Sequence, residues 1–149
     1  MARVAFDLEI ARPPADVFAF LIDFDHVREW QPATEEIHRE TDGPTAVGTR
    51  YVQVMRLLGK RIESRIEVTE LEAPGRFSIR TSGGPIDFHV THLLDPSPTG
   101  TKVSVDGEGE AQGVFKLGEG VAVKAAEHEM RKSFERLKAV LEGGREPCR

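Results

Sequence analysis

Apolar and charged side chains alternate with a period of two residues between Lys60 and Glu72. One parity holds Ile62, Ser64, Ile66 and Val68, and the other holds Arg61, Glu63, Arg65 and Glu67. This alternation predicts a β-strand with one buried face and one solvated face. A sheet of such strands needs a covering layer on one side only, which strongly limits the folds open to the chain.

Further segments of the chain are also typical of short strands. They are ARVAFDLEIA near the start, and TEEIHRET, VGTRYVQVMRLLG, RFSIRTS, IDFHVTHLL and TKVSVDGEGEA downstream of Pro32. Gly- and Pro-rich turns separate most of them, which predicts hairpin connections and an antiparallel sheet. Leu71 breaks the alternation of its strand, so we expect a β-bulge nearby.

Two short helices are predicted directly after the first strand. In PPADVFAFLID the apolar residues change to a helical spacing, and Pro14 suits a first helical position. Asp23 or Asp25 can cap a second short helix that runs through Trp30, and Pro32 ends it. This stretch is rich in aromatic residues, and we expect them to plug one side of the interior.

The last segment predicts one long amphipathic helix between Val114 and Glu142, ended by Gly143 and Gly144. Its apolar stripe is formed by Val123, Ala126, Met130, Phe134, Leu137 and Leu141. Because helices and strands are segregated along the chain, the fold class is α+β. We expect a curved antiparallel sheet of about seven strands wrapped around the C-terminal helix, in a single domain over residues 1–142 with a tail at 143–149.

Composition excludes several classes of function. The chain has 149 residues and a formal charge of −5, which argues against a nucleic-acid partner. The single cysteine, Cys148, allows no internal disulfide, and the sequence has neither a signal peptide nor a membrane-spanning run. We therefore expect a cytoplasmic protein. No metal-site spacing or phosphate-binding loop is present, so no metal and no cofactor is expected. The oligomeric state stays open, a homodimer included.

The ordered set of motifs resembles the helix-grip fold of the START-like superfamily (SRPBCC). This superfamily includes polyketide cyclase/dehydrase-like proteins, relatives of the birch-pollen allergen and START lipid-transfer domains. The resemblance rests on IxRPPADVFAFLxD, WQP, VGTRY, VTELEAPGRF, LLDPSPTGTKV and FERLKAVLE, and it covers nearly the whole chain. Such a fold implies a cavity between the sheet and the long helix. It does not imply one function.

If the apolar parity points inward, strand positions predict the lining of that cavity. The candidate ligand-binding residues are Tyr51, Gln53, Met55, Ser64, Ile66, Ile79, Thr81, Phe88, Val90, His92, Val105 and Gly107, with Phe24 and Trp30 from the aromatic stretch. The strand after Gly48 is ambiguous by pattern, and the resemblance favours Tyr51, Gln53 and Met55 inward over Val52 and Val54. Small inner residues, among them Gly107 and Gly109, favour a hollow interior or mark bulges.

Three functions are compatible with these residues. The first is binding of a small hydrophobic ligand such as a lipid, polyketide, isoprenoid or aromatic molecule. The second is an enzyme similar to polyketide cyclase/dehydrases, with His92 as general acid or base and Tyr51 polarising a carbonyl. The third is a protein-interaction role like that of chaperone regulators, which predicts a filled interior and an exposed apolar patch. His92 can also be a core histidine bonded to a neighbour.

Overall fold

A computed structural model describes residues 2–57, 59–84, 86–111 and 119–143. The elements are β1 (Ala2–Ile10), α1 (Pro14–Leu21), a 3-10 turn (Phe24–His26), α2 (Val27–Trp30), β2 (Thr34–Arg39), β3 (Arg50–Leu57), β4 (Lys60–Glu72), β5 (Arg76–Ser82), β6 (Ile86–Ser97), β7 (Gly100–Ala111) and α3 (Glu119–Gly143). Residues 114–118 of the predicted long helix and the tail with Cys148 lie outside the described residues.

The strands form one seven-stranded sheet in the order β1-β7-β6-β5-β4-β3-β2. Every neighbouring pair is antiparallel, and β2 to β7 follow one another as a meander. The first strand joins the sheet beside the last one, with Ala2 opposite Gly109. The predicted α+β class, with two short helices after the first strand and one long helix at the end, is confirmed.

The alternation of β4 is realised as the sequence predicts. Ser64, Ile66 and Val68 are buried, whereas the charged side chains between them are exposed. The pairing of β4 with β5 shifts register between Val68 and Glu70, and this places Leu71 opposite Phe77. The bulge expected from the broken parity near Leu71 is therefore confirmed. The buried side chains define the inner face of the sheet.

Helix α3 covers this inner face with its apolar stripe. Ala126, Phe134, Leu137 and Leu141 are buried, which matches the spacing read from the sequence. The Phe134 ring packs against the sheet, with its centroid 5.7 Å from that of Phe6 in β1. No helix among the described residues is long and apolar enough to cross a membrane.

The aromatic stretch after β1 closes one end of the space between sheet and helix. Phe18, Phe24 and Trp30 are all less than a tenth exposed. The Phe24 ring stacks on Tyr51 at 4.2 Å and meets the edge of Phe77 at 6.3 Å. The side chain of Asp23 accepts a hydrogen bond from the Asp25 amide and so caps the 3-10 turn.

Candidate functional site

A cavity of about 170 Å³ lies between the inner face of the sheet and α3. Its wall is formed by Leu21, Phe24, Trp30, Gln31, Ala33, Gln53, Met55, Ile62, Ser64, Ile66, Phe77, Ile79, Thr81, Phe88, Val90, His92, Ala126, Glu129, Met130, Ser133 and Phe134. Most of these side chains are apolar, and none of the described lining residues is lysine or arginine. A wall of this kind suits an uncharged or weakly polar molecule.

Most of the candidate ligand-binding residues lie in this wall. Those in it are Phe24, Trp30, Gln53, Met55, Ser64, Ile66, Ile79, Thr81, Phe88, Val90 and His92. They come from two helical segments and four adjacent strands, β3 to β6, so no single element supplies the site. The period of two residues fixed which side of each strand faces inward.

Three candidates lie outside the wall. Tyr51 is stacked against Phe24, and its hydroxyl is hydrogen-bonded to Thr45 Oγ1 at 3.3 Å, so its ring is covered and its hydroxyl has a partner within the protein. Val105 is 1% exposed and belongs to the packed core. At Gly107 the space a side chain would take is bounded by Val90 and by Met130 of α3. These residues face inward, but neighbouring side chains cover them.

Gly109 of β7 does not leave the open space that the sequence suggested for the small inner residues. A Cβ built at Gly109 would lie 2.5 Å from a ring carbon of Phe88, the residue directly opposite on β6. The Phe88 ring therefore occupies the volume that Gly109 leaves free. The glycine accommodates an aromatic side chain, and the cavity lies beyond it.

Sequence reasoning missed the contribution of α3 to the wall. Ala126, Glu129, Met130, Ser133 and Phe134 all line the cavity. A signal was present, because Glu129 follows Ala126 by three residues and precedes Ser133 by four, so it lies beside the apolar stripe. A charged residue at the edge of a buried helical stripe is a candidate for a site. Leu21, Gln31, Ala33, Ile62 and Phe77 complete the wall.

His92 is held as a neutral imidazole. Its ring is 4% exposed and lies between Phe77 at 5.3 Å and Phe134 at 5.6 Å. The carbonyl of Phe77, 2.9 Å from Nδ1, can only accept, so Nδ1 carries the hydrogen and Nε2 is the acceptor nitrogen. Burial lowers the pKa of His92 to about 4, and the hydrogen bond to Phe77 offsets only part of this effect.

Gln53 belongs to a small buried network at the β2 side of the cavity. Its Nε2 donates to Gln31 Oε1 at 2.9 Å and to Thr34 Oγ1 at 2.7 Å. Thr34 Oγ1 in turn donates to Gln31 Oε1 at 3.1 Å. Both amide hydrogens of Gln53 are thus used within the protein, and only its Oε1 could serve a ligand.

Two residues of the wall each carry a buried polar atom without a hydrogen-bond partner among the described residues. Trp30 Nε1 and Glu129 Oε2 are buried, and neither has a hydrogen-bond partner among the described residues. Both side chains line the cavity. Among the described residues, no group of three His, Cys, Asp or Glu side chains is arranged to hold a metal ion.

The sequence of residues 1–142 matches the family described as polyketide cyclase / dehydrase and lipid transport. The chain belongs to this family. No curated protein sequence matches it significantly. The range matched by the polyketide cyclase/dehydrase family includes every residue of the cavity wall.

Solved structures agree with the fold of this polyketide cyclase/dehydrase family member. A protein from Thermus thermophilus superposes with a TM-score of 0.83 at 17% identity, covering 97% of this chain and 100% of that one. The Zhui aromatase/cyclase from a Streptomyces species has a TM-score of 0.78 at 12% identity, covering 93% and 92%. A Chromobacterium violaceum protein reaches 0.73 at 17% identity, covering 94% and 97%. At these identities the similarity shows the fold alone.

Proposed function

We propose that this protein binds a small, mostly apolar molecule in the cavity between the sheet and α3. The observation that carries the proposal is the cavity itself, about 170 Å³ in a largely apolar wall. An apolar cavity of about 150 Å³ is large enough to hold benzene. The ligand that fits without further opening is therefore a molecule of one or two rings, held mainly by burial of its apolar surface.

The burial and the lowered pKa of His92 support ligand binding more than catalysis. A general acid or base works best when its pKa lies near the working pH. Because the pKa of His92 is lowered to about 4, Nε2 carries no proton at neutral pH and is a weak base. Tyr51, the residue expected to polarise a carbonyl, is covered by Phe24. The buried, neutral His92 and the covered ring of Tyr51 thus favour ligand binding over catalysis by this pair.

A protein-interaction role has less support than ligand binding. It calls for a filled interior, whereas the described residues enclose a cavity. The exposed large hydrophobic residues among them are Val47, Leu93 and Val121, which belong to a loop, to β6 and to α3. Single apolar side chains on separate elements are ordinary for a protein surface.

Filling the cavity tests the proposed function. Ala126 lies in the wall, and Ala126→Phe would place a ring inside it. Excluding about 60 Å² of ligand surface at about 25 cal/mol per Å² costs about 1.5 kcal/mol, or roughly tenfold in Kd. We expect naphthalene, followed by ligand-observed NMR, to bind the variant at least that much more weakly. Its melting curve should remain cooperative.

The matched control is Ala139→Phe, which adds the same ring to an exposed position of the same helix. It should leave the Kd for naphthalene unchanged. Equal affinity of the Ala126→Phe protein and the unaltered protein would place the ligand elsewhere and contradict the proposal.

A further inference from the structure

The two edges of the seven-stranded sheet differ in how well they are protected against pairing with another chain. At one edge, β2 has six residues, and its pairing with β3 shifts register between Thr34 and Glu36. At the other edge, β1 has nine residues, contains no proline and pairs with β7 in an unbroken register. Short strands, bulges and prolines are devices that keep an edge from accepting a further strand. The edge formed by β1 has none of the three.

Helix α3 covers only one end of the β1 edge. Carbonyl groups of successive strand residues point in opposite directions. The carbonyl oxygen of Ile10 points toward β7, since a Cβ built at Gly100 would lie 2.4 Å from it. The carbonyl of Glu9 therefore points away from the sheet, and it accepts a hydrogen bond from Lys138 Nζ of α3 at 2.6 Å.

The open part of this edge is residues 3–7. By the same alternation, the outward N–H and C=O groups are those of Arg3, Ala5 and Asp7. Within the described ranges, no backbone hydrogen bond joins these residues to an element other than β7. All three residues are exposed. They form a row of free donors and acceptors that is symmetric about Ala5.

We propose that β1 pairs with β1 of a second copy of this chain, antiparallel and centred on Ala5, so that the two sheets become continuous. In this register Ala5 lies opposite the partner's Ala5, and Arg3 lies opposite the partner's Asp7 at each end of the pairing. Every outward N–H and C=O of the three residues then has a partner. The interface is independent of the cavity and of the ligand proposed for it.

Charges on the outer face of the sheet match this register. Arg3 donates to both carboxylate oxygens of Asp106 at 3.0 and 2.7 Å, and Asp7 lies 3.8 Å from Lys102 Nζ. The pairing adds an opposite charge beside each of these ion pairs, so the signs alternate across four strands. Opposite charges directly across a strand pair are stabilising.

Side chains on the inner face also match this register. Val4 lies opposite the partner's Phe6, whose ring is half-buried in one copy and gains apolar cover from the second. A shift by two residues in one direction would require the carbonyl of Glu9, which α3 already occupies. A shift in the other direction would separate Arg3 from the partner's Asp7.

Sedimentation equilibrium tests the proposal. The paired segment is much smaller than the roughly 20–30 residues a side of a standard interface, so we expect a weak dimer with a Kd of about 10–100 μM. Ala5→Pro removes the central outward N–H at a kind of edge position where proline is tolerated, and it should weaken dimerisation at least about tenfold. Ala5→Lys opposes two like charges and should weaken it about threefold or more. The matched control is Ala19→Lys, at an exposed position of α1, and it should leave the Kd unchanged.

A disulfide cross-link tests the register. Directly opposite, hydrogen-bonded residues have Cα atoms about 5.5 Å apart, which is within the range of a disulfide. In a Cys148→Ser background, which removes the single natural cysteine, oxidised Ala5→Cys should form a covalent dimer. Ala19→Cys in the same background should remain monomeric under the same conditions.

Two results would overturn the proposal. One is a monomer at concentrations about tenfold above the expected Kd. The other is a dimer whose Kd is the same in the unaltered protein and in Ala5→Lys, because that dimer would use another surface. If Ala5→Pro lacks a cooperative melting curve, Ala5→Lys and the cross-link decide. Neither result changes the proposal for the cavity, which naphthalene binding tests separately.

Discussion

Protonation of His92 should couple the stability of this protein to pH. In the folded chain its pKa is lowered from 6.5 to about 4, because the ring is buried between Phe77 and Phe134. Between these two values the unfolded chain binds a proton that the folded chain does not. Stability linked to His92 is therefore complete above about pH 6.5, declines as the pH falls toward 4, and levels off below that.

The expected size follows from the two pKa values. Each pH unit between them is worth about 1.4 kcal/mol, so acidification from pH 7 to pH 4 should remove about 3 kcal/mol of the free energy of unfolding. This is a large share of the roughly 5–15 kcal/mol that stabilises a typical domain. His92→Gln lacks the titrating ring and should not show this component.

Urea unfolding followed by the fluorescence of Trp30, the single tryptophan, measures the effect. The quantity to compare is the difference in free energy of unfolding between His92→Gln and the unaltered protein at several pH values. Other titrating groups, such as His26 with its raised pKa and Glu142 with its lowered pKa, are common to both proteins and cancel. A difference that stays constant from pH 7 to pH 4 would refute the buried neutral state of His92.

Two further changes test the packing around the site. Gln53→Met keeps the side-chain length but removes two donated hydrogen bonds, and urea unfolding should show a loss of about 1–3 kcal/mol; an unchanged midpoint would mean that the network adds no stability. Gly100→Ala would place a Cβ 2.4 Å from the carbonyl oxygen of Ile10, so calorimetry should give a larger fall in Tm than for Gly43→Ala, whose Cβ position is open. Both glycines have positive φ, so equal losses would show that backbone strain, and not the clash, decides.

Regular alternation made the sheet predictable from the sequence. In β4 the parity of Ser64 and Ile66 sets both the strand and its buried face, because successive side chains of a strand point to opposite sides. In β3 the same rule is ambiguous, since Gln53 and Val54 are both buried although they point to opposite faces. Their burial depends on which elements cover each side, and local sequence does not encode that.

The sequence predicted which side chains of the site face inward, but not which of them line the cavity and which lie in the packed core. Parity identifies Val105 and Gly107 as inward-facing, yet Val105 lies in the packed core and Gly107 is bounded by Val90 and by Met130 of α3. The same helix brings Glu129 into the wall, although its charge suggests a solvated position. The placement of a helix over a sheet depends on side chains from the whole inner face, so it emerges only in the folded structure.

The pairing of β1 with β7 has a consequence for how the chain folds. Each contact between these strands, from Ala2 with Gly109 to Ile10 with Thr101, closes a loop of about a hundred residues. At about 5–20 residues per second, β7 is synthesised about 5–20 s after β1. The first strand thus waits without its partner while the β2 to β7 meander can form through local hairpins. Because contacts so distant in sequence slow folding, docking of β1 is expected to be a late step.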